Sequence, residues 1–449
     1  MNASFEAALS AQASSRTPLR GWVVTIMLAL FMVINFMDKA ILGIVAKPLM
    51  AELHIQPAEF GLIASSFFLL FSISAICFGF VANRMSSKVV LLMLAAIWGI
   101  SQFPLAFAAS VPLLFFSRIL LGVGEGPAYP LALHACYKWF RNDRRNLPSA
   151  VIYQGVTIGL LISGPILTFL LVRYSWHAAF LMLAIASLVW MLVWFVLGQE
   201  GKVTSDSDTA HAHLSHAAHV SYKTLLTDKT FLGNMALYWT TYWIFALTFT
   251  WIPSYLSTVL KYTPTETGWM FMLFTGINVP IVLGGSWLSQ TLLKRGVASV
   301  RARAWLSCGF VLLGSLFICL SLFGTEQPLL RVILLAIGCN LPQLTFVLSS
   351  TIVAEIIPDK QRSGMMSVNS ALATTGGLIA PALMGRFIQN AAVPAAGYDT
   401  GFLVAAILAI AVSVIGFLII NPEASKRRFA ARALPIAPSR HSMSAALAK

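Results

Sequence analysis

Apolar runs of about 20 residues recur along almost the whole chain, separated by short polar breaks, and they leave little choice of fold. Each run is long enough to cross a hydrocarbon core of about 30 Å. In lipid every backbone N–H and C=O must find its partner within the protein, so only helices and closed barrels can span it. The period-2 alternation of a barrel is absent, which leaves helices. The composition agrees: 58% of residues are hydrophobic and 10% charged, whereas soluble domains are about half apolar and a quarter charged. The runs predict an all-α membrane protein with transmembrane helices at about 21–46, 59–82, 89–110, 112–137, 148–172, 176–198, 230–258, 267–291, 304–324, 328–355, 364–390 and 400–421.

The longest internal polar stretch, 199–229, is rich in Ser, Asp, His and Ala. It reads as a linker between two six-helix bundles, 21–198 and 230–421, flanked by a segment at 1–20 and a basic tail at 422–449. Two such halves place a substrate site near the bilayer midplane, where rocking gives alternating access. The first 20 residues have no short apolar stretch followed by a cleavage site, so no signal peptide is expected. A net charge of +14 raises the question of nucleic acid. Its placement answers it, because the basic residues gather in alternate loops, at Arg84, Lys88, Lys138, Arg144, Lys294, Arg303, Lys360 and the Lys426-Arg427-Arg428 cluster. This is the positive-inside pattern, predicting both termini in the cytoplasm and no nucleic-acid partner. The five cysteines fall inside apolar runs at no regular spacing, suggesting neither disulfides nor a metal site. The linker histidines His211, His213, His216 and His219 read as a solvated segment.

Ionisable residues inside apolar runs cost about 2.5–3.5 kcal/mol each on insertion scales and are functional candidates by default. Span one carries Asp38 and Lys39; span four carries Arg118 and Glu125. Arg118 and Glu125 are two helical turns apart, about 10 Å along one face, too far for a simple intrahelical pair. Asp38 and Lys39 are their natural complement. Gly122, Gly124 and Gly126 allow a neighbouring helix to approach, and Pro127 frees a carbonyl. Two acids and two bases make an empty site near neutral. An arriving carboxylate that binds Arg118 or Lys39 leaves an acid unpaired, and that acid takes a proton. The planar fork of Arg118 suits a carboxylate. Glu125 is the leading proton carrier, then Asp38. The alternative is a buried ion-pair network that only fixes helix packing. Tyr129, His134, Tyr153, Gln154, Tyr242, Asn278, Asn340, Gln343 and Asn369 are further polar residues at membrane depth that either line a cavity or glue helices.

The loop from Gly79 to Lys88 resembles the signature of the major facilitator superfamily: Gly, three residues, Asp-Arg, any residue, Gly, then basic residues. Asn83 stands in the Asp position and Ser86 in that of the second Gly; the resemblance implies gating by Asn83 and Arg84. A sharper likeness is to the anion:cation symporter branch, which has Tyr-x-Asp-Arg in helix one and an Arg followed by Gly-x-x-Glu-Gly-Pro-x-x-Pro in helix four. Here the matches are Phe36-Met37-Asp38-Lys39, and Arg118 followed by Gly122 to Pro130. Membership implies proton-linked uptake of organic anions by a monomer in a bacterial inner membrane, with no cofactor. Lys39 keeps the charge of the usual Arg but loses its fork. Phe36 and Phe71 stand where sugar-acid members tend to have tyrosines, and the Thr374-Thr375 segment resembles one that carries an Asn there. Fewer hydroxyl partners lean the substrate towards a less hydroxylated or aromatic carboxylate, with a sugar acid open. Two rival readings are a proton-coupled exporter and a solute sensor. An enzyme finds no support, since no nucleophile–base pair, phosphate loop or metal set is present at useful spacing.

Overall fold

The polar residues that break the apolar runs also cap the helices that follow them. Ser86, Ser110 and Ser175 accept backbone N–H bonds from Val89, Leu113 and Ala178. Asp228 takes those of Thr230 and Phe231 at 3.0 and 3.2 Å, and Thr263 with Glu266 forms a reciprocal capping box. Pro264, Pro328 and Pro394 occupy first helical turns, where a missing N–H is no loss. The computed structural model describes residues 19–82, 85–108, 110–140, 146–201 and 220–433; Asn83, Arg84 and the four linker histidines lie outside them.

Spans one to six are Leu19–Ile44, Pro57–Ala82, Ser87–Gln102, Val111–Glu125 with Ala128–Tyr137, Asn146–Arg173 and Trp176–Leu197. Spans seven to twelve are Lys229–Thr258, Pro264–Gly276 with Asn278–Lys294, Leu306–Phe323, Pro328–Asn340 with Thr345–Ile356, Asp359–Asn390 and Pro394–Ile419. Among the described residues, 11 of these are long and apolar enough to cross a membrane. The exception is span seven, a 30-residue helix rich in Thr, Trp and Tyr that is buried along most of its length. A helix surrounded by protein has little need of a lipid-compatible face.

Three spans are interrupted where the sequence predicts continuous helix. Span four breaks at Gly126-Pro127, and span ten passes through a 3-10 turn at Leu341–Leu344 that contains Pro342. Span eight breaks at Ile277, three residues before Pro280, which lacks the N–H that would bond Gly276. The polar stretch at 199–229 is also not uniformly open. Tyr222–Leu226 is a short helix with Leu225 buried, and the Gln361 side chain both donates to the Val220 carbonyl and accepts from its N–H.

The two bundles meet at the end opposite Leu19 and Ala433. There Gly61 lies against the Pro381 carbonyl, Gly385 against that of Pro57, Gly164 against that of Gly268, and Gly43 against that of Phe249. None of these sites has room for a Cβ. Ala58 N–H donates to Gln389 Oε1 at 3.2 Å, and Ala382 N–H donates to Ser65 Oγ at 3.1 Å. Midway along the same seam the hydroxyls of Ser72 and Thr374 touch.

The end that carries Leu19 and Ala433 is braced within each half. Glu200, just past span six, accepts from the N–H groups of Ser87 and Lys88 and pairs with Lys138, so its carboxylate caps span three. Burial pushes the Glu200 carboxyl up, but Lys138 and the two amides outweigh it and hold it below the usual carboxylate range. In the second half Arg428 pairs with Asp228 at 2.8 Å and fastens the helix Pro422–Ala433 to the start of span seven.

Candidate substrate site

Span four brings its charged face to the interface because its glycines let span two close in. A Cβ at Gly122 or Gly126 would meet the carbonyl of Phe67 or Phe71, and one at Gly124 would meet the Trp98 ring at 2.8 Å. Arg118 lies on this face, 2% exposed, with its guanidinium carbon 5.4 Å from the centre of the Phe180 ring. Its Nε and Nη2 are buried and have no hydrogen-bond partner among the described residues. Glu125, two turns on, forms an ion pair with Lys39 of span one, with side chains 0% and 11% exposed. Lys39 also donates to Asn35 Oδ1 at 2.6 Å and sits 4.3 Å from the centre of the Phe36 ring. Asp38 is fully buried, with Gln102, Arg118, Glu125 and Lys39 around it, and neither carboxyl oxygen meets the hydrogen-bond geometry with a partner among the described residues.

The expected complement between spans one and four is therefore present in one specific form. Lys39 and Glu125 pair directly. Asp38 lies near Arg118, whose Nε and Nη2 keep no hydrogen-bond partner among the described residues.

Arg118, Lys39 and Glu125 line a cavity of about 800 Å3 between the bundles. This is a usual size for a small-molecule site. Of the other polar residues singled out in the sequence, Tyr129, Tyr153, Tyr242, Asn278, Gln343, Asn369 and Thr374 line it. Asn278 donates to Gln343 Oε1 at 2.9 Å, Gln343 donates to Asn340 Oδ1 at 2.9 Å, and Asn340 donates to the carbonyls of Phe274 and Ala336, both at 2.8 Å. Asn340 is thus helix glue, while Asn278 and Gln343 form the cavity-facing edge of an amide chain.

Gln154 and Thr375 do not line the cavity. In span five, Tyr153, Val156, Thr157 and Leu160 face it, a helical stripe that turns Gln154 away by about 100°. Similarly Ser367, Ser370, Ala371 and Thr374 form the cavity stripe of span eleven, so Thr375 points outward and accepts from Trp239 Nε1 at 2.9 Å. Asp38, too, sits behind the lining rather than in it.

The sequence reading passed over most of the aromatic wall. Tyr238, Tyr242, Phe245 and Phe249 recur at helical spacing on span seven, and Phe346 meets the first three edge-on, at 5.5, 5.0 and 5.3 Å between ring centres. Phe67, Phe68 and Phe71 form a matching cluster on span two, with Phe36 and the Tyr129–Tyr153 pair beside it. Spacing of three and four residues was the available signal; it reads equally as ordinary core.

The sequence profile of the Major Facilitator Superfamily matches residues 28–342 and 302–446. The chain is 26% identical over 419 residues to a hexuronate transporter of Bacillus subtilis, covering 90% of this chain and 95% of that protein. It is 24% identical over 429 residues to a D-galactonate transporter of Escherichia coli, covering 89% and 94%. A Cupriavidus necator protein named "Probable sulfoacetate transporter" is 25% identical over 410 residues, covering 87% and 91%. Among solved structures, an inward-facing, occupied bacterial homologue of the human lysosomal transporter Spinster superposes with a TM-score of 0.75 at 15% identity, covering 94% of this chain and 100% of that one. A D-xylose-proton symporter superposes at 0.71 with 12% identity, covering 90% and 99%, so these two show the fold alone. With a family profile spanning nearly all of its helices and relatives that are anion permeases, this chain belongs to the Major Facilitator Superfamily and is a transporter, not an enzyme.

Proposed function

We propose that this protein takes up a small organic carboxylate with protons across a bacterial inner membrane, by alternating access, with both termini in the cytoplasm. One observation carries the reading: a buried arginine, Arg118, borders the cavity with Nε and Nη2 unpartnered among the described residues, next to a Lys39–Glu125 ion pair and the buried carboxyl group of Asp38. A free guanidinium fork is a carboxylate receptor. The named cargoes of the relatives, hexuronate, galactonate and sulfoacetate, are all organic anions.

Coupling follows from charge balance. With Arg118, Lys39, Asp38 and Glu125 all charged, the empty site is neutral. A substrate carboxylate on Arg118 adds one negative charge in a place where Lys39 already serves Glu125. A proton on Glu125 releases Lys39 to share the substrate, so proton and anion each favour the other's binding. Asp38 is the second carrier, acting from behind the cavity wall. The bundles are closed at the end opposite Leu19 and Ala433; with Leu19 and Ala433 on the cytoplasmic side this is an inward-facing form, and opening that seam would expose the site to the other side. Asn83 and Arg84 retain a gating role on sequence alone.

The test is uptake of labelled organic acids into proteoliposomes, with and without an inward proton gradient, by wild type and Glu125→Gln. Accumulation that needs the gradient, and that Glu125→Gln loses while keeping exchange of preloaded substrate, supports symport with Glu125 as coupling group. A gradient that drives the acid outward instead supports the exporter.

A further inference from the structure

The cavity's polar groups are mostly already paired. Thr275 donates to the Phe271 carbonyl at 2.9 Å, Thr374 to that of Ala371 at 2.8 Å, and Asn278 and Gln343 bond each other. A polyhydroxylated acid would bring several hydroxyls into this space and, beyond the hydroxyls of Tyr129, Tyr153 and Thr157, find few groups not already engaged, each unpaired group costing about 1–3 kcal/mol. What surrounds the space instead is aromatic, on both halves. Rings stack or meet edge-on and so favour a flat apolar body between them.

Apart from Glu125, which is engaged by Lys39, three lining side chains keep buried polar atoms with no partner among the described residues: Arg118 Nε and Nη2, Asn35 Nδ2, and Asn369 Oδ1. The first two are donors on the first half and suit a carboxylate. The third is an acceptor on the second half. Its orientation is fixed from behind, because Asn369 Nδ2 donates to Ser349 Oγ at 3.0 Å, and Ser349 Oγ is itself held by Asn234 Nδ2 at 2.9 Å. The amide nitrogen thus faces Ser349, and the oxygen is left over.

We infer, resting on the carboxylate reading above, that the substrate is an aryl carboxylate bearing a single hydrogen-bond donor. Its acid group sits on the first half at Arg118, its ring lies between the aromatic walls, and its donor is read by Asn369. Asn369 is then a specificity residue that favours hydroxyaryl over plain aryl acids, and the cavity as a whole disfavours sugar acids.

The experiment is counterflow exchange in proteoliposomes, with no proton gradient, of 4-hydroxybenzoate, benzoate and D-galactonate by wild type and Asn369→Leu. Wild type should exchange 4-hydroxybenzoate with a kcat/KM about tenfold above benzoate, the effect of one neutral hydrogen bond, and D-galactonate more slowly than either. In Asn369→Leu the ratio between the two aryl acids should fall to about one. Taken within one preparation, that ratio does not depend on the fraction of protein folded. Faster exchange of D-galactonate than of both aryl acids overturns the aryl assignment and leaves the carboxylate reading standing. An unchanged ratio in the variant overturns the role of Asn369. Exchange of none of the three overturns the carboxylate reading and this inference together.

Discussion

Removing the ammonium from Lys39 should destabilise the protein far more than removing both members of its ion pair. Glu125 has a side chain that is 0% exposed and Lys39 one that is 11% exposed, so neither charge has appreciable water to fall back on. Lys39→Met strands the Glu125 carboxylate and also strips Asn35 Oδ1 of its 2.6 Å donor. Breaking one side of a buried pair costs about 3–5 kcal/mol, whereas replacing the whole pair with neutral side chains of similar size is close to neutral. The expected pattern is a loss of about 3–5 kcal/mol for Lys39→Met and a return to within about 1 kcal/mol of wild type for Lys39→Met with Glu125→Gln. Reversible unfolding in mixed micelles, or steric trapping in bicelles, measures both on one scale. The double variant should be folded and yet unable to accumulate substrate, which separates the pair's structural role from coupling. A single variant within about 1 kcal/mol of wild type would refute the reasoning, because it would mean that water or another cation compensates Glu125.

Three further outcomes are expected. Gly122→Ala should cost about 1–3 kcal/mol by driving span four off the Phe67 carbonyl, while Gly284→Ala, where a Cβ meets nothing within 4 Å, should be neutral or stabilising; paired thermal melts in detergent decide it. Glu200→Gln should lower the melting temperature at neutral pH only. The held-down carboxyl contributes stability above the ordinary glutamate value of about 4.3 and loses it as pH falls through the lower folded value, so the two melting curves should converge in acid. Joining Ala58→Cys to Gln389→Cys with a short cleavable thiol reagent, in a Cys77→Ser background, should stop transport and release it on cleavage. Continued transport by the cross-linked protein would contradict opening of that seam.

The membrane fold was legible because burial in lipid leaves so few options. Runs of apolar residues had to be helices, and the caps at Ser86, Ser110, Ser175 and Asp228 put the starts close to where the polar breaks suggested. The helix breaks at Ile277 and Leu341–Leu344 were less visible, since in lipid a proline is tolerated within a span and does not announce whether the chain kinks or stops. The charged site was readable for the opposite reason: four ionisable groups in apolar surroundings need explanation, and two residue pairs on two helices have few ways to combine. Which pairs form was not readable. Lys39 reaches Glu125, and Asp38 sits behind the cavity wall, because of helix rotation, which the sequence does not encode locally. Rotation also explains Gln154 and Thr375, each one residue beyond a cavity-facing neighbour, Tyr153 and Thr374. The aromatic wall escaped notice because a phenylalanine stripe looks the same whether it faces a partner helix or a cavity.

The most direct test of proton-coupled anion uptake is to follow the lumenal pH of proteoliposomes carrying a trapped pH dye when an exchangeable acid is added outside, with no gradient imposed and protein-free liposomes as the control for passive entry. Symport predicts that the lumen acidifies faster than in the control, and that Glu125→Gln abolishes the excess. A lumen that turns alkaline as the acid enters, or excess acidification that Glu125→Gln leaves intact, would contradict it.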